Sequence, residues 1–252
     1  MTNQKFAGKV AIITGASSGI GAAILYKLLE LQVKVFAIDI NKLKKTDTLL
    51  TFFEGDVTDE LSLSQTFKSI CSQDSKIDFL FINAGIVPEW SSSQNTVAAI
   101  WDKVLAVNVK GAALTLKYGI ECLKKPGGTV VVTGSINSWK GDANLAPYVA
   151  SKHAVYGIVK SAALELGKSG IRVNGIAPGP IATDALLSRI KSRNPDLNSV
   201  ELLDEFLENL GKQTSLGRIA TINDVVNGAL FLASEQSAST NGHLLPIDGG
   251  IL

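Results

Sequence analysis

Short apolar segments alternate with longer amphipathic segments along most of the chain. The short segments are rich in Val, Ile and Phe and are flanked by turn residues, which predicts strands. These strands are Val10–Thr14, Lys34–Ile38, Leu50–Phe53, Phe79–Asn83, Thr129–Thr133, Arg172–Ile176 and Leu244–Ile247. The longer segments have the helical period and predict helices over Ile20–Leu31, Leu61–Ser72, Val97–Leu123, Tyr148–Gly167 and Asn223–Ala233. Several strands are apolar at consecutive positions, as expected when helices cover both faces, so the pattern predicts an α/β fold with a doubly wound, seven-stranded parallel sheet.

Residues 184–215 depart from this alternation. They form a long amphipathic stretch without an obvious strand, between the sixth strand and the last helix. Long insertions of this kind are often lids, so we expect this one to cover the substrate; a helical excursion with only a packing role is the alternative. No repeat, linker or low-complexity tract divides the chain, and we expect one domain across residues 1–252.

Composition and charge narrow the classes of protein that fit. Of the 252 residues, 46% are hydrophobic and 19% are charged, which is typical of a folded chain rather than a disordered one. The 24 basic and 23 acidic residues give a net charge of +1. Overall charge therefore gives no reason to expect nucleic acid or an anionic membrane as a partner.

The terminal segments and the cysteines favour the cytoplasm. The apolar stretch near the amino terminus is too short for a signal peptide, and no apolar run approaches the ~20 residues that a membrane helix needs. Cys71 and Cys122 are 51 positions apart and form no CxxC motif, so we expect two free thiols and no metal site. These features predict a soluble protein in a reducing, cytoplasmic setting.

A glycine-rich turn follows the first predicted strand and opens the first helix. It reads Gly15-Ala16-Ser17-Ser18-Gly19-Ile20-Gly21, and its glycines allow a tight turn and the close approach of a ligand. The free N–H groups and the dipole of a helix N-terminus attract a pyrophosphate. The turn therefore indicates a dinucleotide site, although its spacing is not the general G-x-G-x-x-G and a structural turn without ligand is the alternative.

An acidic residue, Asp39, follows the second predicted strand. A carboxylate there accepts hydrogen bonds from the ribose hydroxyls of an adenosine and repels a 2′-phosphate, which favours NAD over NADP. Residues 16–20 contain no Arg or Lys for a 2′-phosphate, although Lys42 and Lys44 are close in sequence and keep NADP open. After the third strand, Asp56-Val57 fits contacts with adenine and a plain turn equally well.

Four further residues suggest acid–base chemistry. Tyr148 and Lys152 are four positions apart on a predicted helix, so their side chains share one face. A nearby ammonium favours the phenolate, and we expect Lys152 to lower the pKa of Tyr148 so that it serves as general acid and base. Ser135 follows the fifth strand, where it can donate a hydrogen bond to a substrate oxygen, and Asn108 lies in a predicted helix. Taken alone, the Tyr–Lys pair could equally be an ordinary surface pair.

Taken together, these motifs resemble those of the short-chain dehydrogenase/reductase family over nearly the whole chain. The matching positions are Thr14–Gly21, Asp39, Asp56, Asn83-Ala84-Gly85, Asn108, Ser135, Tyr148 to Lys152, Arg172-Val-Asn174, Pro178-Gly179 through Thr183, and Asp248-Gly-Gly250. The resemblance implies a Rossmann fold that binds a nicotinamide dinucleotide. Ile82 stands where the family often has Asn, a small departure.

The resemblance also implies a role for each matching residue. Tyr148 would be the acid/base, Lys152 would lower its pKa and hold the nicotinamide ribose, Ser135 would bind the substrate oxygen, and Asn108 would position a water in a proton relay. The cofactor-binding residues would be Gly15, Ser17, Ser18, Gly19, Ile20, Gly21, Asp39, Asp56, Val57, Asn83, Ala84, Gly85, Tyr148, Lys152, Pro178, Gly179, Ile181 and Thr183. A homotetramer is implied as well, with two long helices at one interface.

The function predicted in this way is NAD(H)-dependent interconversion of a small or medium secondary alcohol and its ketone by hydride transfer, without a metal. The candidate substrate residues are Ser135, Asn137, Trp139, Tyr148 and Leu186. An NADPH-dependent 3-oxoacyl-type reductase is the alternative within enzymes, and Asp39 argues against it. A non-catalytic dinucleotide sensor on the same fold is the alternative from another class.

Overall fold

The computed structural model describes residues 6–74, 76–194, 196 and 199–251 of the chain. Its seven strands are β1 (Val10–Thr14), β2 (Lys34–Asp39), β3 (Leu50–Glu54), β4 (Phe79–Ile82), β5 (Thr129–Thr133), β6 (Arg172–Pro178) and β7 (Leu244–Ile247). They form one parallel sheet in the order β3-β2-β1-β4-β5-β6-β7. The predicted doubly wound sheet, a Rossmann fold, is confirmed.

The helices cover both faces of this sheet. They are α1 (Gly19–Glu30), α2 (Glu60–Gln73), α3 (Ala98–Leu105), α4 (Ala112–Cys122), α5 (Ala146–Leu166), α6 (Asp184–Arg193), α7 (Val200–Lys212) and α8 (Ile222–Ala233). Consecutive residues of a strand face opposite layers, so Ile12 packs with α2, α4 and α5 while Ile13 packs with α1 and α8. The strand order reverses between β1 and β4, and folds of this class bind ligands beyond the strand ends at that point.

The predicted helix over residues 97–123 is three pieces rather than one. A π-helical turn, Ala106–Gly111, separates α3 from α4. Such turns are rare and often mark functional positions, because the extra residue per turn reorients the side chains around it. Asn108 lies in the π turn. The hydrophobic period is unaltered by so short an irregularity, which is why the sequence pattern did not reveal it.

The expectation of two free thiols is wrong. Cys71, near the end of α2, and Cys122, the last residue of α4, form a disulfide, and their Cα atoms are 5.2 Å apart. The two helices pack against each other on one face of the sheet, which brings together residues 51 positions apart. Sequence spacing carries no information about such a contact.

The insertion at residues 184–215 contains α6 and α7. Thr183 and Ser199 cap these helices through side-chain oxygens that accept the N–H groups of Leu186 and Leu202. The insertion ends against the last residues of the chain, where the N–H of Ser215 donates to the carbonyl of Gly250 at 3.0 Å. Among the residues that the structure describes, no helix has both the length and the apolar character needed to cross a membrane.

Candidate active site

A cavity of about 590 Å³ opens beyond the carboxyl ends of the strands around the β1–β4 reversal. Most of the predicted site residues line it. They are Gly15, Ser17, Ser18, Gly19, Ile20, Asp39, Asp56, Val57, Asn83, Ala84, Gly85, Ser135, Tyr148, Lys152, Pro178, Gly179, Ile181, Thr183 and Leu186. The fold thus collects residues from most of the chain around one space.

The glycine turn is closely packed on one side and open on the other. A Cβ on Gly15 would lie 2.7–2.8 Å from backbone atoms of Ala84, and a Cβ on Gly21 would overlap the carbonyl oxygen of Gly15 and the amide of Asn83. Gly19 has a positive φ of 53° and nothing within 4 Å of the position where its Cβ would be. Gly21 therefore lies behind the cavity wall and lets α1 approach β1 and β4. The open side at the N-terminus of α1 fits a pyrophosphate.

Asn83 connects β1 to β4 at this wall. Its Nδ2 donates to the carbonyl of Gly15 at 2.8 Å, and its Oδ1 accepts the hydroxyl of Thr133 at 3.0 Å. The backbone N–H groups of Asn83 and Ala84 donate to Thr14 Oγ1 at 3.2 and 3.3 Å. These bonds hold the turn at a fixed distance from the strand end of β4.

Asp39 occupies the far end of the cavity and is 8% exposed. Its two carboxylate oxygens accept the backbone N–H groups of Ser17 and Asn41, at 2.9 and 2.8 Å. The remaining lone pairs of a carboxylate leave acceptors for two vicinal ribose hydroxyls. Asp56 is exposed and accepts bonds from the N–H and hydroxyl of Thr58, so it also stabilises a local turn. Together with the open glycine turn, the acidic strand end fits a dinucleotide.

Ser135, Tyr148 and Lys152 meet at the opposite end of the cavity. Ser135 follows β5, and its hydroxyl shares a hydrogen bond with that of Tyr148. The Nζ atom of Lys152 lies 5.6 Å from the centre of the Tyr148 ring and donates to the carbonyl of Thr133 at 2.8 Å. Tyr148 and Lys152 are both on α5, as the four-residue spacing predicted.

Burial changes the acidity of this pair. It lowers the pKa of Lys152 from 10.5 to about 8. Burial also raises the pKa of Tyr148, and a weaker contribution from Asp142 adds to this effect. The hydrogen bond to Ser135 and the charge of Arg189 act in the opposite direction. The structure does not support the predicted lowering of the tyrosine pKa: removal of the phenol from water is the largest cause and raises the pKa, and the positive charge that lowers it belongs to Arg189.

The side-chain amide of Asn108 is hydrogen-bonded to protein groups beside the site. Its Oδ1 accepts the N–H of Ile86 at 2.7 Å, and its Nδ2 donates to the carbonyl of Ile86 at 2.9 Å and to Ser151 Oγ at 3.0 Å. Gly85 keeps this region compact, since a Cβ there would lie 3.3 Å from Asn108 Oδ1 and 3.8 Å from Lys152 Nζ. The side chain thus fixes the segment after β4 against α5. A role in a proton relay stays a prediction.

Two predicted substrate residues lie outside the cavity lining. Asn137 is 7% exposed, its Oδ1 accepts the hydroxyl of Ser135 at 3.3 Å, and its Nδ2 has no hydrogen-bond partner among the residues that the structure describes. A buried amide that lacks an acceptor is costly, so Asn137 is a candidate for binding water or substrate. Trp139 is 45% exposed, and its ring lies 6.4 Å from that of Tyr156, edge-on. Tyr156 lies on α5, so Trp139 packs against that helix rather than lining the cavity.

Arg189 also lines the cavity, although the sequence patterns did not predict it as a site residue. It lies on α6, three residues after Leu186 and therefore on the same side of the helix. Its guanidinium lies over the ring of Trp90, 5.8 Å from the ring centre. Helical spacing from Leu186 was the available signal, but a charged residue in an amphipathic insertion normally faces solvent.

Comparisons with known proteins agree with this geometry. A sequence model described as "Enoyl-(Acyl carrier protein) reductase" matches residues 15–252. The chain is 36% identical to "Short-chain dehydrogenase reductase 3a" of Arabidopsis thaliana, with 99% of this chain and 97% of that protein covered. The ligand-free aldohexose dehydrogenase of Thermoplasma acidophilum matches with a TM-score of 0.91 and 26% identity, covering 98% of this chain and 94% of that one. Carveol dehydrogenase of Mycobacterium avium, solved in complex with NAD, matches with a TM-score of 0.86 and 27% identity over 98% of both chains.

Proposed function

The chain belongs to the short-chain dehydrogenase/reductase family, and we propose that it is an NAD(H)-dependent oxidoreductase that interconverts a small or medium secondary alcohol and its ketone. One observation carries the proposal: a single cavity joins the glycine turn and Asp39 at one end to Ser135, Tyr148 and Lys152 at the other. A dinucleotide bound along this cavity has its adenosine at the acidic end and its reactive ring at the tyrosine end.

Different residues of the cavity would bind different parts of such a cofactor. The open face of the glycine turn would bind the pyrophosphate, Asp39 the adenosine ribose, and Lys152 the second ribose. When bound, NAD supplies the carbon that accepts or returns a hydride. The segment Pro178–Thr183 would flank the nicotinamide, and the N–H of Gly179 already bonds the carbonyl of Ile247 at 3.0 Å. These assignments follow the family pattern and the lining of the cavity.

Tyr148 is the proposed proton donor and acceptor. Its raised pKa means that the phenol keeps its proton at neutral pH and is ready to protonate the oxygen of a ketone. Ser135 would donate a second hydrogen bond to the same oxygen and orient it. In the direction of alcohol oxidation the phenol must first lose its proton, so we expect the oxidation rate to increase with pH. Lys152 lies between the phenol ring and the carbonyl of Thr133 and supplies the nearby positive charge.

Asp39 is the reason to propose NAD rather than NADP. A 2′-phosphate placed beside this buried carboxylate would add like charges at close range. The Mycobacterium avium carveol dehydrogenase was solved with NAD, which supports the same choice. The NADPH-dependent 3-oxoacyl-type reductase is the alternative. Calorimetric titration with both cofactors decides between them, and tighter binding of NADP would overturn the assignment.

The test of the chemistry is a panel of secondary alcohols and ketones followed by NADH absorbance. We expect turnover of at least one substrate by the wild-type protein and a 10²- to 10⁴-fold lower kcat, as an order of magnitude, for Tyr148→Phe. The Phe ring keeps the packing of the site but has no proton to transfer. Unchanged turnover in this variant contradicts the role of Tyr148, and a protein that binds NAD but turns over nothing favours the sensor alternative.

We also propose a homotetrameric assembly and a cytoplasmic location. The assembly is proposed from the resemblance to the family, and Leu164, which is 83% exposed, lies on α5, one of the helices expected at the interface. Light scattering tests it, and a monomer would contradict it. The location rests on the sequence alone, because the paired cysteines remove the free thiols that were one reason for it. The insertion at residues 184–215 is proposed to cover the substrate, since Leu186 and Arg189 of α6 line the cavity.

A further inference from the structure

The substrate end of the cavity contains a cation that the proposed chemistry leaves unused. Arg189 on α6 lines the same space as Ser135 and Tyr148, and its charge acts on the Tyr148 phenol. The groups that act on it include Tyr148 on α5, Glu89 and Trp90 after β4, and Asp142 before α5.

We infer, on the basis of the proposed function, that Arg189 determines specificity by donating a hydrogen bond to a second, uncharged oxygen of the substrate. The substrate class would then be a hydroxyketone, diketone or diol rather than a simple alcohol. The reacting oxygen lies between Ser135 and Tyr148. The second oxygen would lie across the carbon skeleton, on the side of α6.

The geometry favours a donor role for this guanidinium. An arginine presents five N–H donors in a rigid plane, so it can bond a ligand while keeping its contacts within the protein. The ring of Trp90 lies 5.8 Å from the guanidinium carbon and supports it from one side. Leu186, one turn earlier on α6, provides an apolar wall for the carbon skeleton.

The charges around Arg189 favour an uncharged oxygen over a carboxylate. Burial lowers the pKa of Arg189, while the charges of Tyr148, Glu89 and Asp142 act in the opposite direction. Two carboxylates therefore already interact with this guanidinium. A carboxylate on the substrate would meet this acidic pair, whereas a carbonyl or hydroxyl oxygen needs only an N–H donor.

Binding of three matched cyclohexanones tests the inference. The probes are 1,4-cyclohexanedione, with a second neutral oxygen, cyclohexanone, without one, and 4-oxocyclohexanecarboxylate, with a charged group. Calorimetry on the Tyr148→Phe protein loaded with NADH measures their Kd values without turnover. We expect the dione to bind at least about tenfold more tightly than cyclohexanone, since hydrogen bonds to charged groups are the stronger ones.

Substitutions at two positions of α6 test whether Arg189 causes the preference for the dione. When Arg189→Met is added to the Tyr148→Phe protein, the dione should bind only about twofold more tightly than cyclohexanone. That factor is expected because the dione has two equivalent carbonyls. Arg189→Lys should keep part of the preference, because it retains a charged donor. Lys191→Met is the matched control: it removes a cation from an exposed position two residues away and should leave the ratio unchanged.

An unchanged dione preference in Arg189→Met would overturn the inference, as would tighter binding of the oxo acid than of the dione. An equal loss of affinity for the dione and cyclohexanone would also overturn it, since Arg189 would then only shape the cavity. Failure of the proposed function looks different. In that case none of the ketones oxidises NADH with the wild-type protein, while the binding ratios still decide the role of Arg189.

Discussion

The two ends of the cavity are held by different kinds of contact. The cofactor wall, residues 14–21, 39 and 83–85, is held by hydrogen bonds from the N–H of Ser17 and the amide of Asn83, and by close packing at Gly15 and Gly21, where an added Cβ would overlap neighbouring atoms. The substrate mouth, α6 with residues 87–90 and 140–142, is held by side chains on partly exposed segments. A cofactor that all members of a family bind requires the same backbone shape in each member, whereas the substrates differ from one member to another. Close packing and hydrogen bonds are therefore concentrated at the end of the cavity that fits a dinucleotide.

The largest expected effect comes from Gly21→Ala in the cofactor wall. The added methyl group would overlap the carbonyl of Gly15 and the amide of Asn83, so α1 must shift. Overpacking of this kind typically costs about 1–3 kcal/mol, which lowers Tm by roughly 2–12 °C in a chain of this size. We expect kcat/KM to fall by about 10²-fold or more, since small misplacements of bound groups have effects of that order. Thermal unfolding and steady-state kinetics measure the two losses.

Gly141→Ala is the matched control for this prediction. Gly141 lies in the loop of the substrate mouth, without a positive φ, and has nothing within 4 Å of its Cβ position. We expect its Tm and its affinity for NAD to stay at the wild-type values. If both alanine variants bound NAD normally, the steric account of the cofactor wall would be wrong.

The same contrast explains which parts of the site could be predicted from sequence. The glycine turn, Asp39 and the Tyr148–Lys152 pair are readable because the chemistry and the local geometry lie within a few residues of each other. The place of Arg189 in the site could not be predicted from residues near it in the sequence. Its significance comes from Tyr148, Glu89 and Trp90, which are 41, 100 and 99 positions away (189 − 148, 189 − 89 and 189 − 90).

The fold likewise has features that the sequence pattern predicts and features that it does not. The hydrophobic pattern and the flanking turn residues predicted all seven strands, and the predicted ends differ from those in the structure by at most two residues. The π turn at Ala106–Gly111 and the pairing of Cys71 with Cys122 were not predicted. Both depend on how α2, α4 and α5 pack on the sheet. Long-range packing of that kind is invisible to a pattern that repeats every two or four residues.

Lys152 lies at the tyrosine end of the cavity, and it provides the second prediction. Its pKa falls from 10.5 to about 8 because the ammonium is buried, which corresponds to about 3 kcal/mol of lost stability when both states are protonated. Between pH 8 and 10.5 the folded state releases this proton while the unfolded state keeps it. Wild-type stability should therefore increase with pH across that window, relative to Lys152→Met, which lacks the titrating group.

Thermal unfolding of both proteins from pH 7 to pH 10.5 measures this difference. We expect the Tm of Lys152→Met minus that of the wild type to decrease by several degrees above pH 8. Lys160→Met, which alters an exposed lysine on the same helix, should show a pH-independent difference. A constant difference for Lys152→Met would mean that the buried amine carries no penalty, and the site would then be less dry than its geometry indicates.

Asp39→Asn makes the third prediction, at the adenosine end of the cofactor wall. The amide keeps one oxygen acceptor and the size of the side chain but removes the charge that repels a 2′-phosphate. We expect the ratio of Kd values for NADP and NAD to decrease by about 10- to 100-fold, the range for hydrogen bonds to charged groups. Asp47→Asn is the control, because that exposed carboxylate accepts a local bond from the N–H of Leu49 at 2.8 Å and does not line the cavity. Equal shifts in both variants would assign the preference to overall charge.

The smallest expected effect lies in the substrate mouth, at the contact between α6 and the segment after β4. Ser192 on α6 donates its hydroxyl to the exposed Glu89 at 3.0 Å, and it also bonds the carbonyl of Arg189 at 3.2 Å. Exposed hydrogen bonds of this kind contribute about 1 kcal/mol or less. Ser192→Ala should therefore raise KM less than about fivefold and leave kcat, NAD affinity and Tm unchanged. If kcat changed instead, the movement of α6 would limit turnover, and the mouth would be a gate rather than a wall.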